Sequence, residues 1–160
     1  MPKQCDNLSV GVLIFDKKRR MLLIERANFP FGFAPVAGHL DGLPARERAK
    51  EEARSEVGIE VKRMANMLEF PLNKNNSCRR EGGTRHVWHI YKAVEWEGAP
   101  SETAEAKQVI WADQKKLKEL ANRADLYAKG RIAEAEWHKN PGLEPVWRDW
   151  LAFPFRARSL

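Results

Sequence analysis

VAGHLDGLPARERAKEEARSEVGI, residues 36–59, is the stretch whose reading decides the fold. It holds a glycine turn, a proline, and an uninterrupted helical run that ends in glycine. Pro44 suits a first helical position, because its fixed φ is already helical and its missing N–H is not needed there. Gly58 suits the position just past the end, where a left-handed residue commonly closes a helix. Every residue between them tolerates or favours a helix.

Wound at 3.6 residues per turn, the run separates two faces. Ala45, Ala49, Ala53 and Val57 form a small-residue side that lets a helix sit close to a sheet. Glu52 and Glu56 lie one turn apart, so their carboxylates can converge. Unpaired carboxylates at that distance repel unless a positive group sits between them, and a hard divalent cation would fill that role. The charge pattern also allows a plain solvated face, since Glu47 and Glu51 have Lys50 and Arg54 three residues on.

The stretch resembles the Nudix box, the signature of the Nudix hydrolases: glycine, five residues, glutamate, seven residues, then Arg-Glu-apolar-x-Glu-Glu-x-Gly-apolar. Aligned on its end, the chain reads Glu51-Glu52-Ala53-Arg54-Ser55-Glu56-Val57-Gly58-Ile59. Glu52 matches the first helix glutamate, Glu56 the last of the closing pair, and Gly38 the opening glycine. His39-Leu40-Asp41 matches the residues that usually follow it. The departures are specific. Leu43 stands in place of the first glutamate in a loop one residue short, Glu51 in place of the arginine, Ser55 in place of one glutamate, and Val36-Ala37-Gly38 in place of Pro-Gly-Gly.

The resemblance covers residues 8–125, in the order apolar strand, basic-aromatic turn, box, two more strands and a helix. It implies an α/β fold: a Nudix-type α/β/α sandwich with a mixed central sheet, here with an extra C-terminal helical tail over residues 126–160. It implies hydrolysis of a nucleoside diphosphate linked to another group, with water attacking phosphorus and Mg2+ or Mn2+ as cofactor. Glu52 and Glu56 would hold the metal, and one of them, or Glu105 ahead of a strand containing Trp111, would take the proton. Glu51, one turn before Ser55, would reach the metal in place of the missing ligand. The candidate substrate-binding residues are Arg26, Phe31, Arg79 and Arg80. The alternative is a Nudix-fold module, impaired in turnover, that binds nucleotide or RNA.

The 160 residues suffice for one domain with a real core, read as a single unit over 1–160. Hydrophobic content of 43% and charged content of 31% fit a globular chain. A net charge of +6 suits an anionic partner or simply a basic surface. No apolar run is long enough to cross a bilayer. MPKQCDNLSV lacks the layout of a secretion signal, so the expected location is cytoplasmic, with no membrane partner. Cys5 and Cys78 have no metal-ligand spacing and read as free thiols or a disulfide pair.

Ser9 to Phe15 reads as a buried strand and Met21 to Glu25 as its hairpin partner. Phe29 to Phe33 is an aromatic loop, with Phe33 expected to plug the base of the sheet. Glu60 to Phe70 reads as a bent strand and Asn73 to Gly83 as a basic polar loop. Arg85 to Trp96 is a long strand whose His86, Trp88 and Ile90 share one face and whose Val87, His89 and Tyr91 share the other. Both histidines read as structural. Asp113 caps a helix reaching Arg123. Ala133–His138 and Pro145–Leu151 read as helices whose tryptophans either cover the chain's own core or form a homodimer contact.

Overall fold

The structure, a computed structural model, describes residues 3–151. Eight strands and four helices follow in the order β1 (Leu8–Leu13), β2 (Met21–Arg26), β3 (Phe33–Ala34), β4 (Val36–His39), α1 (Ala45–Val57), β5 (Glu60–Asn66), β6 (Leu72–Asn75), β7 (Arg85–Glu97), β8 (Ala106–Ala112), α2 (Gln114–Ala128), α3 (Glu134–Lys139) and α4 (Pro145–Trp150). A five-stranded sheet runs β4-β1-β7-β5, with β6 also on β7, and a three-stranded sheet runs β3-β2-β8. The larger sheet is mixed. β1 pairs parallel with β7 and antiparallel with β4. With helices on its flanks and more at the C-terminus, this is the expected α/β architecture.

The hairpin expectation is corrected. The chain does turn at Asp16–Arg20, where the Leu22 amide donates to the Ile14 carbonyl at 2.9 Å. It then leaves the sheet, and β2 pairs with β3 and β8 instead of β1. β1 is thereby free to take β4, the strand that carries the glycine turn. Two apolar strands joined by a polar turn encode a hairpin locally. Which sheet each strand joins depends on partners far along the chain.

α1 follows its pattern, with one shift. Pro44 is the cap at φ −58° and ψ 140°, not the first helical residue, and Gly58 closes the helix in the left-handed region at φ 73°. Ala49, Ala53 and Val57 are fully buried against Val10, Val12 and Val36. Small side chains at i, i+4 and i+8 are what let the helix axis approach the strands.

A second apolar cluster lies under the tail. Trp137, Trp147 and Trp150 are buried with Leu13, Trp88, Ile90 and Leu120, so within this chain the tryptophans cover their own core. The residues beyond Leu151 lie outside those described. Several boundaries differ from expectation: β5 ends at Asn66, short of Phe70. α2 continues to Ala128, and its Asp113 cap accepts from the Lys116 amide as expected. The start of the polar loop is a strand, β6, whose Leu72–Asn75 pair with Trp88–Arg85. Polar side chains hid that strand, because it lies at a sheet edge with both faces largely wet.

Candidate functional site

β4 and α1 build the site between them. Ala37 donates its amide to Glu56 Oε2 at 3.1 Å. Gly38, next along, backs onto Glu52: a Cβ there would overlap the Glu52 carboxylate. The helix thus aims two carboxylates at the strand, and the strand's missing side chain leaves room for them. Both are buried, at 6% exposure for Glu52 and 4% for Glu56.

Burial dominates their chemistry. It pushes the Glu52 carboxyl up to about 7, with Glu105, Asp41 and Glu51 adding to the rise and Arg48 opposing it. Burial, and then Glu52 itself, drives Glu56 well above the ordinary carboxylate range, opposed by Arg26 and the Ala37 amide. Arg48 forms an ion pair with Glu52 Oε1 and also donates Nε to the His39 carbonyl at 2.8 Å. The cation missing at position 51 is therefore supplied from position 48, one turn earlier.

Both glutamates open into a cleft of about 380 Å³, in the size range of small-ligand sites. Arg26, Arg79, Arg80 and Glu105 line it as well. Glu105 lies in the turn just before β8, and Arg26 ends β2 with its Nε donating to the Pro30 carbonyl at 2.8 Å. Arg80 grips Asp41 through both terminal nitrogens at 2.6 and 3.0 Å. That grip, together with Lys3, holds the Asp41 carboxyl well below the usual carboxylate range. No ion-pair partner of Arg79 occurs among the described residues.

Two expected site residues stand elsewhere. Glu51 is exposed and pairs with Arg48 Nη1 at 2.9 Å, off the wall of the cleft, while Ser55 is on it. Helical geometry explains this, since residue 51 sits about 100° round from residue 52. Phe31 packs on His138 with ring centroids 4.1 Å apart, and Phe29 takes the place on the cleft wall. Lys74 of the basic loop lies 4.9 Å over the Trp150 ring, outside the cleft lining.

Around the glutamate pair the donors are oxygen: two buried carboxylates that repel each other, with a third carboxylate and Ser55 on the same cleft, whose wall also carries His39, Cys78 and His86. Such a set fits a hard divalent cation, which would relieve the repulsion. The sequence reading missed Glu144, a buried carboxyl on the same wall, 3.7 Å from Arg26 Nε. It comes from the tail, and nothing in its local sequence marks it as facing the cleft.

A second cluster was also missed. Cys5, His39, Cys78 and His86 bring one ligand atom each to within 4.8 Å of one another. Both cysteines are free. Burial, with Arg80 and His86 beside it, pushes the His39 imidazole down to about 4. The free thiols are as expected, and what no motif announced is their meeting with His39 and His86. The four residues come from four separate segments, so no sequence spacing announces them. Among the described residues no helix is long and apolar enough to cross a membrane.

Comparison with known proteins agrees with this geometry. The NUDIX domain family profile matches residues 6–139. The MutT protein from Methanosarcina mazei Go1 superposes with a TM-score of 0.64 at 15% identity, covering 99% of this chain and 98% of that one. A dihydroneopterin triphosphate pyrophosphohydrolase from E. coli gives 0.58 at 21% identity, covering 75% and 87%. The MutT NUDIX hydrolase from Burkholderia pseudomallei gives 0.55 at 24% identity, covering 66% and 81%. A search of curated proteins returns no match. At these identities the structural likenesses speak for the fold, and the profile match over most of the chain speaks for descent: this chain belongs to the NUDIX domain family.

Proposed function

We propose that the cleft binds a nucleotide-linked diphosphate and hydrolyses its phosphoanhydride, with Glu52 and Glu56 holding a divalent cation. The observation that carries this reading is the buried carboxylate pair, aimed by α1 into a cleft that also presents Arg26 and Arg79. Two acids buried side by side repel when both are ionised, so a cation between them suits the ionised, working state. When bound, Mg2+ or Mn2+ supplies neutralisation of the phosphoryl oxygens and acidifies water. Arg48 orients Glu52 through one oxygen. Arg26, Arg79 and Arg80 offer donors to phosphate. Glu105, exposed on the cleft wall, would take a proton from the attacking water.

Specific observations favour a second reading, binding with little or no turnover. Ser55 offers only a neutral oxygen where an acid is usual, Glu51 is turned away from the cleft, and Arg80 is committed to Asp41. The Cys/His cluster beside the box turn is a further departure from an all-oxygen site. RNA binding is a variant of the same reading, suited by the charge of +6, and a steep salt dependence of affinity would favour it.

One experiment separates the readings. Phosphate release is screened over nucleoside diphosphate sugars, dinucleotides and nucleoside triphosphates with Mg2+ and with Mn2+, and binding of the same compounds is measured in parallel. Metal-dependent turnover that Glu52→Gln abolishes supports the hydrolase. Tight binding without phosphate release supports the module.

A further inference from the structure

The Cys5, His39, Cys78 and His86 cluster is a different kind of site from the glutamate pair. Two thiols and two imidazoles are soft and borderline donors, the set that zinc takes in closed structural sites. We propose that these four residues bind one Zn2+ as a structural centre that pins the N-terminal segment and the 77–83 loop to the box turn.

The S···S and N···N separations are those of a tetrahedral site, and the Cys5–His86 pair is somewhat closer than the ideal edge. Zinc bonds of about 2.3 Å to sulfur and about 2.05 Å to nitrogen imply ligand edges of about 3.8 Å for S···S, about 3.3 Å for N···N and about 3.6 Å for S···N. Cys5 Sγ and Cys78 Sγ are 3.8 Å apart. His39 Nε2 and His86 Nε2 are 3.2 Å apart, as are Cys5 Sγ and His86 Nε2.

The surroundings are also those of a metal centre. His86 Nδ1 lies 3.1 Å from the Asn76 carbonyl. A proton on Nδ1 donated there leaves Nε2 with a free lone pair facing the cluster, the usual outer-shell arrangement for a ligating histidine. Each sulfur accepts a backbone amide from two residues on: Asn7 to Cys5 Sγ at 3.3 Å, and Arg80 to Cys78 Sγ at 3.4 Å. Amides directed at sulfur stabilise thiolate, the ligating form. Gly83 belongs to the same construction. A Cβ at that position would collide with Cys78 Sγ, and the Cys78 amide donates to the Gly83 carbonyl at 2.9 Å.

The placement gives the centre a task. Cys5 donates its amide to the Glu81 carbonyl at 2.8 Å, so the N-terminal segment and the loop are already tied by backbone. Zinc would add His39, which follows Gly38 directly, and His86 at the start of β7. The loop carrying Arg79 and Arg80 is then held at the cleft. This proposal does not depend on the hydrolase reading, since a nucleotide-binding module needs the loop ordered as well.

The test uses the full chain, expressed without an affinity tag in zinc-supplemented medium and dialysed. Elemental analysis is expected to find about one zinc per chain. The Glu52→Gln/Glu56→Gln variant should retain it, and Cys5→Ser and Cys78→Ser should each lose most of it. Cobalt substituted into chelator-treated protein should give thiolate-to-metal charge-transfer absorption and the intense visible bands of a tetrahedral site. This wild-type readout decides the question even if the cysteine variants fail to fold. Wild-type protein with negligible zinc and no cobalt–thiolate band overturns the proposal, as does zinc that departs with the two glutamates or thiol titration showing Cys5 and Cys78 joined as a disulfide.

Discussion

The backbone of Gly38 lies so close to the Glu52 carboxylate that the two residues are mutually exclusive with any side chain at position 38. Gly38→Ala should therefore move Glu52 while leaving the fold in place. Mg2+ affinity measured by calorimetry is expected to fall about 10- to 100-fold, the range for disturbing the support of a ligand. Unchanged affinity would remove Glu52 from the metal site.

Arg48 occupies one oxygen of Glu52 and anchors itself on the His39 carbonyl. This geometry makes it a positioning residue. Arg48→Ala should weaken Mg2+ binding by about tenfold or more, and Arg48→Lys should recover part of the loss. Tighter binding in Arg48→Ala would mean that the guanidinium competes with the cation.

Glu51 and Glu56 sit on one helix with opposite fates. Glu56→Gln removes a buried carboxylate from the cleft and should abolish measurable Mg2+ binding in the millimolar range. Glu51→Gln removes an exposed partner of Arg48 and should change affinity by no more than about twofold, as surface ion pairs contribute little. A large effect at position 51 would show that its side chain swings into the cleft when metal binds.

The raised carboxyls give the metal-free protein a pH signature. The Glu52 pKa goes from an ordinary 4.5 to about 7 in the folded state, chiefly by burial, and Glu56 moves the same way. The folded protein thus holds protons that the unfolded chain has released. The stabilising contribution is complete below pH 4.5 and is lost as pH rises through 7. Each unit of pKa difference corresponds to about 1.4 kcal/mol. Denaturant titrations of metal-free protein at a series of pH values should show this fall. Glu52→Gln should reduce it, and Mg2+ should flatten it by binding the ionised form. A wild-type slope equal to that of Glu52→Gln would contradict the shift.

Much of the site was legible because helical periodicity is local. The spacing of Glu52 and Glu56, the small face of Ala49 and Ala53, and the closing Gly58 all follow from 3.6 residues per turn. The placing of Glu51 off the cleft was equally calculable from that angle. The expectation that its side chain would reach across to the metal is what the described geometry does not display. Phe31 was harder, since an aromatic loop tip has two or three surfaces to choose from, and His138 of α3 is one that only the folded tail provides.

The sequence by itself determined the box helix, the paired acids on its buried face, the long β7 strand with its two faces, and membership of an α/β family. Those features rest on periodicities within one element. Tertiary structure alone decided that β2 joins a different sheet from β1, that Arg48 serves Glu52, that Glu144 faces the cleft, and that Cys5, His39, Cys78 and His86 meet. Each of these is a contact between segments whose separation along the chain carries no spacing rule, set by which strands pair and how closely glycine lets them approach.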